Sequence, residues 1–162
     1  MIENLLYIVT IQIGLLLLHA AASSQIHRIL EYIWKGVAVG IPSGVIFDLI
    51  VGKYFGFYSY IIGFELWFLI TMGATSYACM VAHIFLLQNW RLYQIVIWAT
   101  VMAFVCEVAN MLFPVWTWYS YELQTIPLIA TLYIIGTIGT IINLQLLFNI
   151  KFRSVGLRAN AT

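Results

Sequence analysis

Two carboxylic acids, Asp48 and Glu107, occur inside apolar segments of this sequence. Ionisable side chains are costly within a membrane span and usually face a bundle interior or a cavity, so each acid is a candidate functional residue. Apolar surroundings disfavour the charged form of a carboxyl group, which then keeps its proton at neutral pH. A neutral carboxylic acid can protonate an alkene or an epoxide. The sequence therefore predicts acid–base chemistry on an apolar substrate, with one residue as acid and the other as base, in an order left open.

Aromatic residues are concentrated shortly after each acid, in the segments 54–60 and 116–121. The faces of Tyr, Trp and Phe stabilise a carbocation and offer it no strong nucleophile. Asn110 lies one helical turn beyond Glu107 and is expected to orient its carboxyl group. Beside the two catalytic acids, the predicted substrate-binding residues are Asn110, Phe57, Tyr58, Tyr60, Trp116, Trp118, Tyr119 and Asn143.

Each of these features also has a plainer interpretation. The acids stand near predicted helix ends, where a carboxyl group can reach water at the membrane interface. The aromatic residues can form the interfacial belt that membrane proteins commonly carry. The small residues that precede each acid can serve helix packing alone. A site is favoured by the combination of an acid with a dense aromatic segment, which occurs twice at similar predicted depth.

The composition places these residues in a membrane protein. Of the 162 residues, 64% are hydrophobic and 8% are charged, whereas soluble domains have about 25% charged residues. The net charge of +1 suggests no nucleic acid and no acidic protein as a partner, which leaves membrane lipid as the surroundings. Several segments have the ~20 apolar residues that a bilayer requires. They predict an all-α integral membrane protein forming a single domain, 1–162, with five spans near 4–22, 30–51, 66–88, 92–112 and 126–149.

The distribution of basic residues predicts the orientation of these spans. Lys53 alone would lie on one side of the membrane, and the other basic residues on the opposite side, namely Arg28, Lys35, Arg91, Lys151, Arg153 and Arg158. Because basic residues favour the cytoplasmic side, the N-terminus is expected outside and the C-terminus in the cytoplasm. Asp48 and Glu107 then lie near the outer ends of the second and fourth helices.

Small residues at intervals of four precede both acids. Gly36, Gly40 and Gly44 lead to Asp48, and two alanines lead to Glu107 in the same way. Superposing the two segments brings 58–60 onto 119–121 once two residues are added in the second connector. The pattern predicts that helices 2–3 and 4–5 are parallel internal repeats, an arrangement that places a site between its two halves.

Several kinds of chemistry are not indicated by the sequence. A single aspartate cannot form the acidic cluster that holds magnesium against a diphosphate. The three histidines lack the spacing of a metal site, and no phosphate-binding or dinucleotide-binding motif is present. Catalysis, if the chain is an enzyme, is therefore expected to be metal-free and without a cofactor.

One stretch resembles a known family. Phe47-Asp48, followed by Gly56-Phe-Tyr-Ser-Tyr60 and Gly63, looks like the motif of membrane-embedded lycopene cyclase domains. Glu107 with Pro114 is similar to a segment of the small membrane terpene cyclases that act on meroterpenoids. The resemblance implies a helical, metal-free terpenoid cyclase with Asp48 and Glu107 as catalytic acids and a lipid-soluble isoprenoid as substrate. Because the meroterpenoid cyclases usually have more spans, the alternatives are a minimal relative, a homo-oligomer, or a member of the same fold with another task.

Two other functions fit the same residues. A small proton-coupled membrane carrier, or a binding subunit of one, would use the acids as proton sites. A non-catalytic interaction protein would use the glycines for helix packing and nothing more.

Overall fold

The computed structural model describes residues 2–119 and 125–152 of the chain. Tyr121, predicted as part of an aromatic segment, and Arg153 and Arg158, predicted on the cytoplasmic side, lie outside these residues. Within them the chain forms five long helices: α1 Ile2–Ala22, α2 Ile26–Tyr54, α3 Leu66–Leu86, α4 Leu92–Leu112 and α5 Thr125–Phe148. All five are long and apolar enough to cross a membrane, by length and composition. The prediction of five such helices is confirmed, and their ends agree with the predicted spans to within a few residues.

The glycines of α2 bring its backbone into direct contact with α3. A Cβ atom added to Gly40 would lie 2.6 Å from the carbonyl oxygen of Gly73, and one added to Gly44 would lie 2.7 Å from the ring of Tyr77. Small residues allow two helices to approach this closely. The glycine face of α2 therefore sets α3 near enough for Tyr77 to lie over Gly44, one turn before Asp48.

We expect Gly40→Ala to destabilise the protein by about 1–3 kcal/mol or more, because the added methyl group meets backbone atoms that cannot move independently. Gly14→Ala is the matched control, since nothing lies within 4 Å of a Cβ atom at Gly14 in α1. Thermal unfolding of the detergent-solubilised protein should show a lower midpoint for Gly40→Ala and an unchanged or higher one for Gly14→Ala. Equal midpoints would contradict the close packing of α2 on α3.

Two of the helices contain a π-helical segment. Residues Asp48–Tyr54 of α2 and Gly73–Tyr77 of α3 have this wider winding. π-Helical turns are rare and frequently mark functional sites. Asp48 begins the first segment and Tyr77 ends the second, so the irregular backbone lies where these two side chains meet.

The connectors after α2 and α4 form a short two-stranded sheet, which the all-α prediction did not include. Strand β1, Tyr58–Tyr60, pairs antiparallel with β2, Trp116–Trp118, and Ser59 lies opposite Thr117. Gly56 and Gly63 flank β1 with φ of +67° and +80°, a conformation that glycine adopts without strain. Alternate residues of a strand share one face, so the four aromatic side chains point to the same side. They are buried, and the hydroxyl-bearing residues between them are more exposed.

The strand partner of 58–60 is 116–118. The predicted superposition of 58–60 on 119–121 concerns equivalent positions in two repeats and stays a prediction, because Tyr119 is the one residue of 119–121 that the structure describes. Tyr-Ser-Tyr and Trp-Thr-Trp share an aromatic–hydroxyl–aromatic alternation, and this alternation, not residue identity, gives each strand a buried aromatic face. Tyr119 lies just beyond β2 and is 72% exposed.

Buried apolar side chains form two clusters along the bundle. One lies beneath the sheet and includes Ile8, Phe68 and Met72. The other lies towards the opposite end and includes Tyr32 and Val81. Met72 and Val81 also line one cavity, so this cavity lies where the two clusters meet.

Candidate active site

Asp48 is fully buried and accepts hydrogen bonds from three tyrosines. The hydroxyl groups of Tyr58, Tyr60 and Tyr77 all donate to its Oδ1 atom, at 3.0 Å for Tyr60 and 2.6 Å for Tyr77. Tyr58 and Tyr60 come from the inner face of β1, and Tyr77 comes from the π-helical segment of α3. Strand alternation and the close α2–α3 packing together bring these donors to one oxygen atom.

Glu107 is 3% exposed and is surrounded in a comparable way. The indole nitrogens of Trp116 and Trp118 donate to its Oε2 atom at 3.1 and 3.0 Å. The hydroxyl group of Tyr133, from α5, donates to Oε1. Each acid therefore receives two donors from the strand that follows it and a third from the helix that returns.

The two sets of donors differ in what they can do with a proton. A tyrosine hydroxyl group both donates and accepts, whereas an indole N–H only donates. The three groups around Asp48 can therefore take a proton from it and pass one on. Two of the three groups around Glu107 can only hold its oxygen atoms, which suits a carboxylate whose charge stays in place.

Asp48 with its three tyrosines forms a tyrosine cluster, and Glu107 with Trp116, Trp118 and Tyr133 forms a tryptophan cluster. These two clusters touch each other beneath the sheet. The ring centroids of Tyr58 and Trp118 lie 5.0 Å apart, and those of Tyr58 and Tyr60 lie 5.7 Å apart in a perpendicular arrangement. Both distances are typical of favourable aromatic pairs. A bound group next to Tyr58 is therefore within reach of donors to both carboxyl groups.

All six donors line one cavity of about 150 Å³. Asp48 and Glu107 themselves are not among the residues that line it, so the donors separate both carboxyl groups from the interior of the cavity. The other lining residues are mostly apolar. An apolar cavity of roughly this volume holds a ligand the size of benzene, which is comparable to one isoprenoid unit or a single ring.

The remaining predicted site residues lie farther from this cavity. Phe57 stacks on Phe55 with ring centroids 5.8 Å apart, and neither it nor the exposed Tyr119 lines the cavity. Asn143 is exposed and donates to the Ser43 hydroxyl oxygen at 3.4 Å. Their part in substrate binding stays a prediction.

Asn110 organises the chain that leads into β2. Its Oδ1 atom accepts from the backbone N–H groups of Val115 and Trp116, and its Nδ2 donates to the Trp116 carbonyl oxygen, at 2.8 to 3.1 Å. These contacts hold the residue whose indole group binds Glu107. Asn110 therefore fixes the position of Trp116, which in turn donates to Glu107. The predicted role of Asn110 in orienting Glu107 would act through Trp116 and stays a prediction.

Three polar residues of the cavity that bear on its chemistry were not singled out from the sequence. Tyr77 and Tyr133 donate to the two acids, and Gln12 lines the cavity from α1. Both tyrosines sit within apolar helices, where a tyrosine carries no distinctive pattern. Gln12 is polar at the middle of an apolar helix, and this signal could have identified it.

No group of three His, Cys, Asp or Glu side chains suited to a metal ion occurs in the part of the chain that the structure describes. Comparison of the chain with protein-family models, with curated proteins and with solved structures finds no match in any of the three. The function therefore has to be argued from the carboxyl groups, their donors and the cavity.

Proposed function

We propose that this chain is a multi-pass integral membrane protein that cyclises a lipid-soluble isoprenoid by metal-free proton transfer. One observation carries the proposal: the six hydrogen-bond donors of two buried carboxyl groups line a single, mostly apolar cavity. Such a cavity favours an apolar ligand. Proton donors, proton acceptors and aromatic faces around it are the groups that protonation of an alkene requires.

The tyrosine cluster supplies the proton in this mechanism. The three hydroxyl groups donate to Asp48 in the structure. When one of them turns its hydrogen from Asp48 towards the substrate, its oxygen accepts the proton of neutral Asp48 while its own proton goes to the substrate. Tyr58, Tyr60 and Tyr77 all touch both Asp48 and the cavity, so each has the required two-sided position. Asp48 is then the proton reservoir and the tyrosines are the relay.

The tryptophan cluster balances the charge of the resulting cation. Protonation of one alkene, or of an epoxide whose C–O bond then breaks, leaves a carbocation. A second alkene of the same chain attacks it with its π electrons and forms the ring C–C bond. The Glu107 carboxylate, held by Trp116 and Trp118, stabilises the cation and receives the departing proton through Tyr133. The product is an isomer of the substrate, and the proton returns to Asp48 through solvent exchange.

The cavity holds one end of the substrate, and the rest would lie between helices. Ser43 and Phe47 of α2, and Gly136 and Thr140 of α5, line the cavity and are only half-buried. The seam between these two helices is therefore the proposed route from the bilayer. A lipid-soluble chain entering there would place its terminal isoprenoid unit beneath the sheet.

The proposed topology has the N-terminus outside and the C-terminus in the cytoplasm, with the sheet at the outer face. Helices α2–α3 and α4–α5 would form parallel repeats. Their support is the matching pattern of contacts, in which each acid is followed by two strand donors and one donor from the returning helix. The chain therefore has one carboxyl cluster in each half.

The test is mass analysis of lipids from cells that express the wild type or the double variant Asp48→Asn/Glu107→Gln, each supplied with polyprenyl and epoxidised polyprenyl precursors. We expect a product isomeric with its precursor in the wild type only. In D₂O a product formed by protonation of an alkene should contain one carbon-bound deuterium, whereas protonation of an epoxide places the deuterium on an exchangeable hydroxyl group. If both proteins are folded and no precursor gives a difference, the cyclase proposal is rejected.

A proton-coupled carrier is the second candidate, and one observation favours it. The π-helical segments of α2 and α3 interrupt regular helix geometry at Asp48 and Tyr77, and transporters use irregular helices at their binding sites. Proton uptake coupled to solute entry into proteoliposomes, without any isomeric lipid product, would favour this function over the cyclase.

A further inference from the structure

Gln12 brings an amide group into the cavity from the middle of α1. The residue is 3% exposed and lines the cavity. Its Nε2 atom donates to the Ser76 hydroxyl oxygen and contacts the Cys106 sulfur, both at 2.9 Å. Its Oε1 atom is buried and has no hydrogen-bond partner among residues 2–119 and 125–152.

The open end of this amide does not depend on how its two atoms are assigned. Ser76 and Cys106 both contact the same terminal atom, so exchanging nitrogen and oxygen would still leave the other end without a partner. A serine hydroxyl group can accept or donate, which makes either assignment chemically possible. With the oxygen outward, the open end is an acceptor.

A buried acceptor without a partner is unfavourable, and such groups in proteins are nearly always satisfied. Around Gln12 the cavity wall is otherwise mostly apolar, with hydroxyl groups from Ser43, Thr137 and Thr140 on the opposite helices. A hydrocarbon ligand would leave the amide oxygen unpaired. A ligand with a hydroxyl group at this depth would satisfy it.

We propose that Gln12 accepts a hydrogen bond from a hydroxyl group of the ligand, so that the substrate is a hydroxylated isoprenoid and not a pure hydrocarbon. This inference rests on the proposed function for the isoprenoid part of the ligand. The hydroxyl group lies mid-span at Gln12, and the reacting alkene lies beneath the sheet at the tyrosine cluster. Gln12 then favours hydroxylated substrates and fixes the position of the substrate along the cavity.

The test measures binding and needs no turnover. A ten-carbon prenyl alcohol and the hydrocarbon in which a methyl group replaces its hydroxyl group are titrated into the purified protein in detergent. Tryptophan fluorescence reports binding, because Trp116 and Trp118 line the cavity. We expect the alcohol-to-hydrocarbon affinity ratio to fall about tenfold from wild type to Gln12→Met, the size of one hydrogen bond to a buried acceptor.

Gln145→Met is the matched control, because Gln145 is exposed on α5 and the same chemical change there is outside the cavity. It should keep the wild-type ratio, and comparing ratios cancels the partitioning of both ligands into detergent. Thermal unfolding checks that each variant is folded.

The outcomes separate this inference from the proposed reaction. An equal ratio in the wild type and Gln12→Met overturns the inference, as does the absence of binding of either ligand. If the ratio changes as expected and no cyclic product forms in cells, the reaction is rejected and the hydroxyl site stands. If a cyclic product forms while the ratio is unchanged, the reaction stands and the role of Gln12 is rejected.

Discussion

Replacing Asp48 by asparagine is expected to lower product formation by about 10²-fold or more, the contribution typical of a positioned general acid. Asparagine has nearly the same shape, and its carbonyl oxygen can still accept from Tyr58, Tyr60 and Tyr77. The fold should therefore survive. Asparagine cannot supply a proton, so the tyrosines lose their reservoir. Deuterium incorporation from D₂O should fall in parallel with the product.

Two further variants make this prediction specific. Glu65→Gln changes another acid, one that is exposed at the start of α3, and should leave product formation unchanged. Tyr77→Phe removes one of three relay hydroxyl groups and should give a partial loss, because two others still connect Asp48 to the cavity. Full activity in Asp48→Asn would remove this residue from the mechanism.

The helices were predictable because their signal is long and repetitive. A span needs about 20 apolar residues, and five such segments separated by polar or aromatic connectors leave little freedom in placing them. The glycine spacing of α2 also pointed to a close helix contact, which the structure places against α3. The sequence did not predict which helix packs on the glycine face of α2, because a face of small residues can accommodate several different neighbouring helices.

The sheet was not predictable from local sequence. Each strand has three residues, and its partner lies more than 50 positions away. Three residues are too few to establish a period of two. The alternation of Tyr58-Ser-Tyr60 becomes informative only beside Trp116-Thr-Trp118, once both connectors are known to meet at one end of the bundle. The predicted superposition followed residue identity and selected 119–121, so it did not indicate 116–118, the strand that pairs with β1.

Both acids were identified from the sequence, but two of the six groups that donate hydrogen bonds to them were not. Tyr58, Tyr60, Trp116 and Trp118 follow their acid closely, so proximity in sequence suggested them. Tyr77 and Tyr133 reach the acids from separate helices. Their contacts depend on helix packing and, for Tyr77, on a π-helical segment. No local sequence pattern predicts such a π-helical segment.

Replacing Glu107 by glutamine is expected to lower the rate of cyclisation by about 10² to 10³, the usual effect of removing a group that stabilises charge in a transition state. Glutamine is neutral. Its oxygen can replace Oε2 and accept from both indole N–H groups, and its NH₂ group can donate to the Tyr133 hydroxyl oxygen, so the fold should survive. The cation then lacks the charge of Glu107, and Tyr133 lacks a base to receive the departing proton. The variant should bind substrate, and its residual product should include alcohols formed when water captures the longer-lived cation.

The tryptophan donors provide the matched comparison for Glu107→Gln. Trp118→Phe removes one hydrogen bond to Oε2 while keeping an aromatic ring, so the carboxylate is held less firmly and an intermediate loss of rate is expected. Trp67→Phe makes the same change at an exposed position near the start of α3 and should have no effect. Mass analysis of extracted lipids measures both the isomeric product and the hydrated side products. An unchanged rate in Glu107→Gln, or equal rates in Trp118→Phe and Trp67→Phe, would show that the tryptophan cluster does not stabilise the cation.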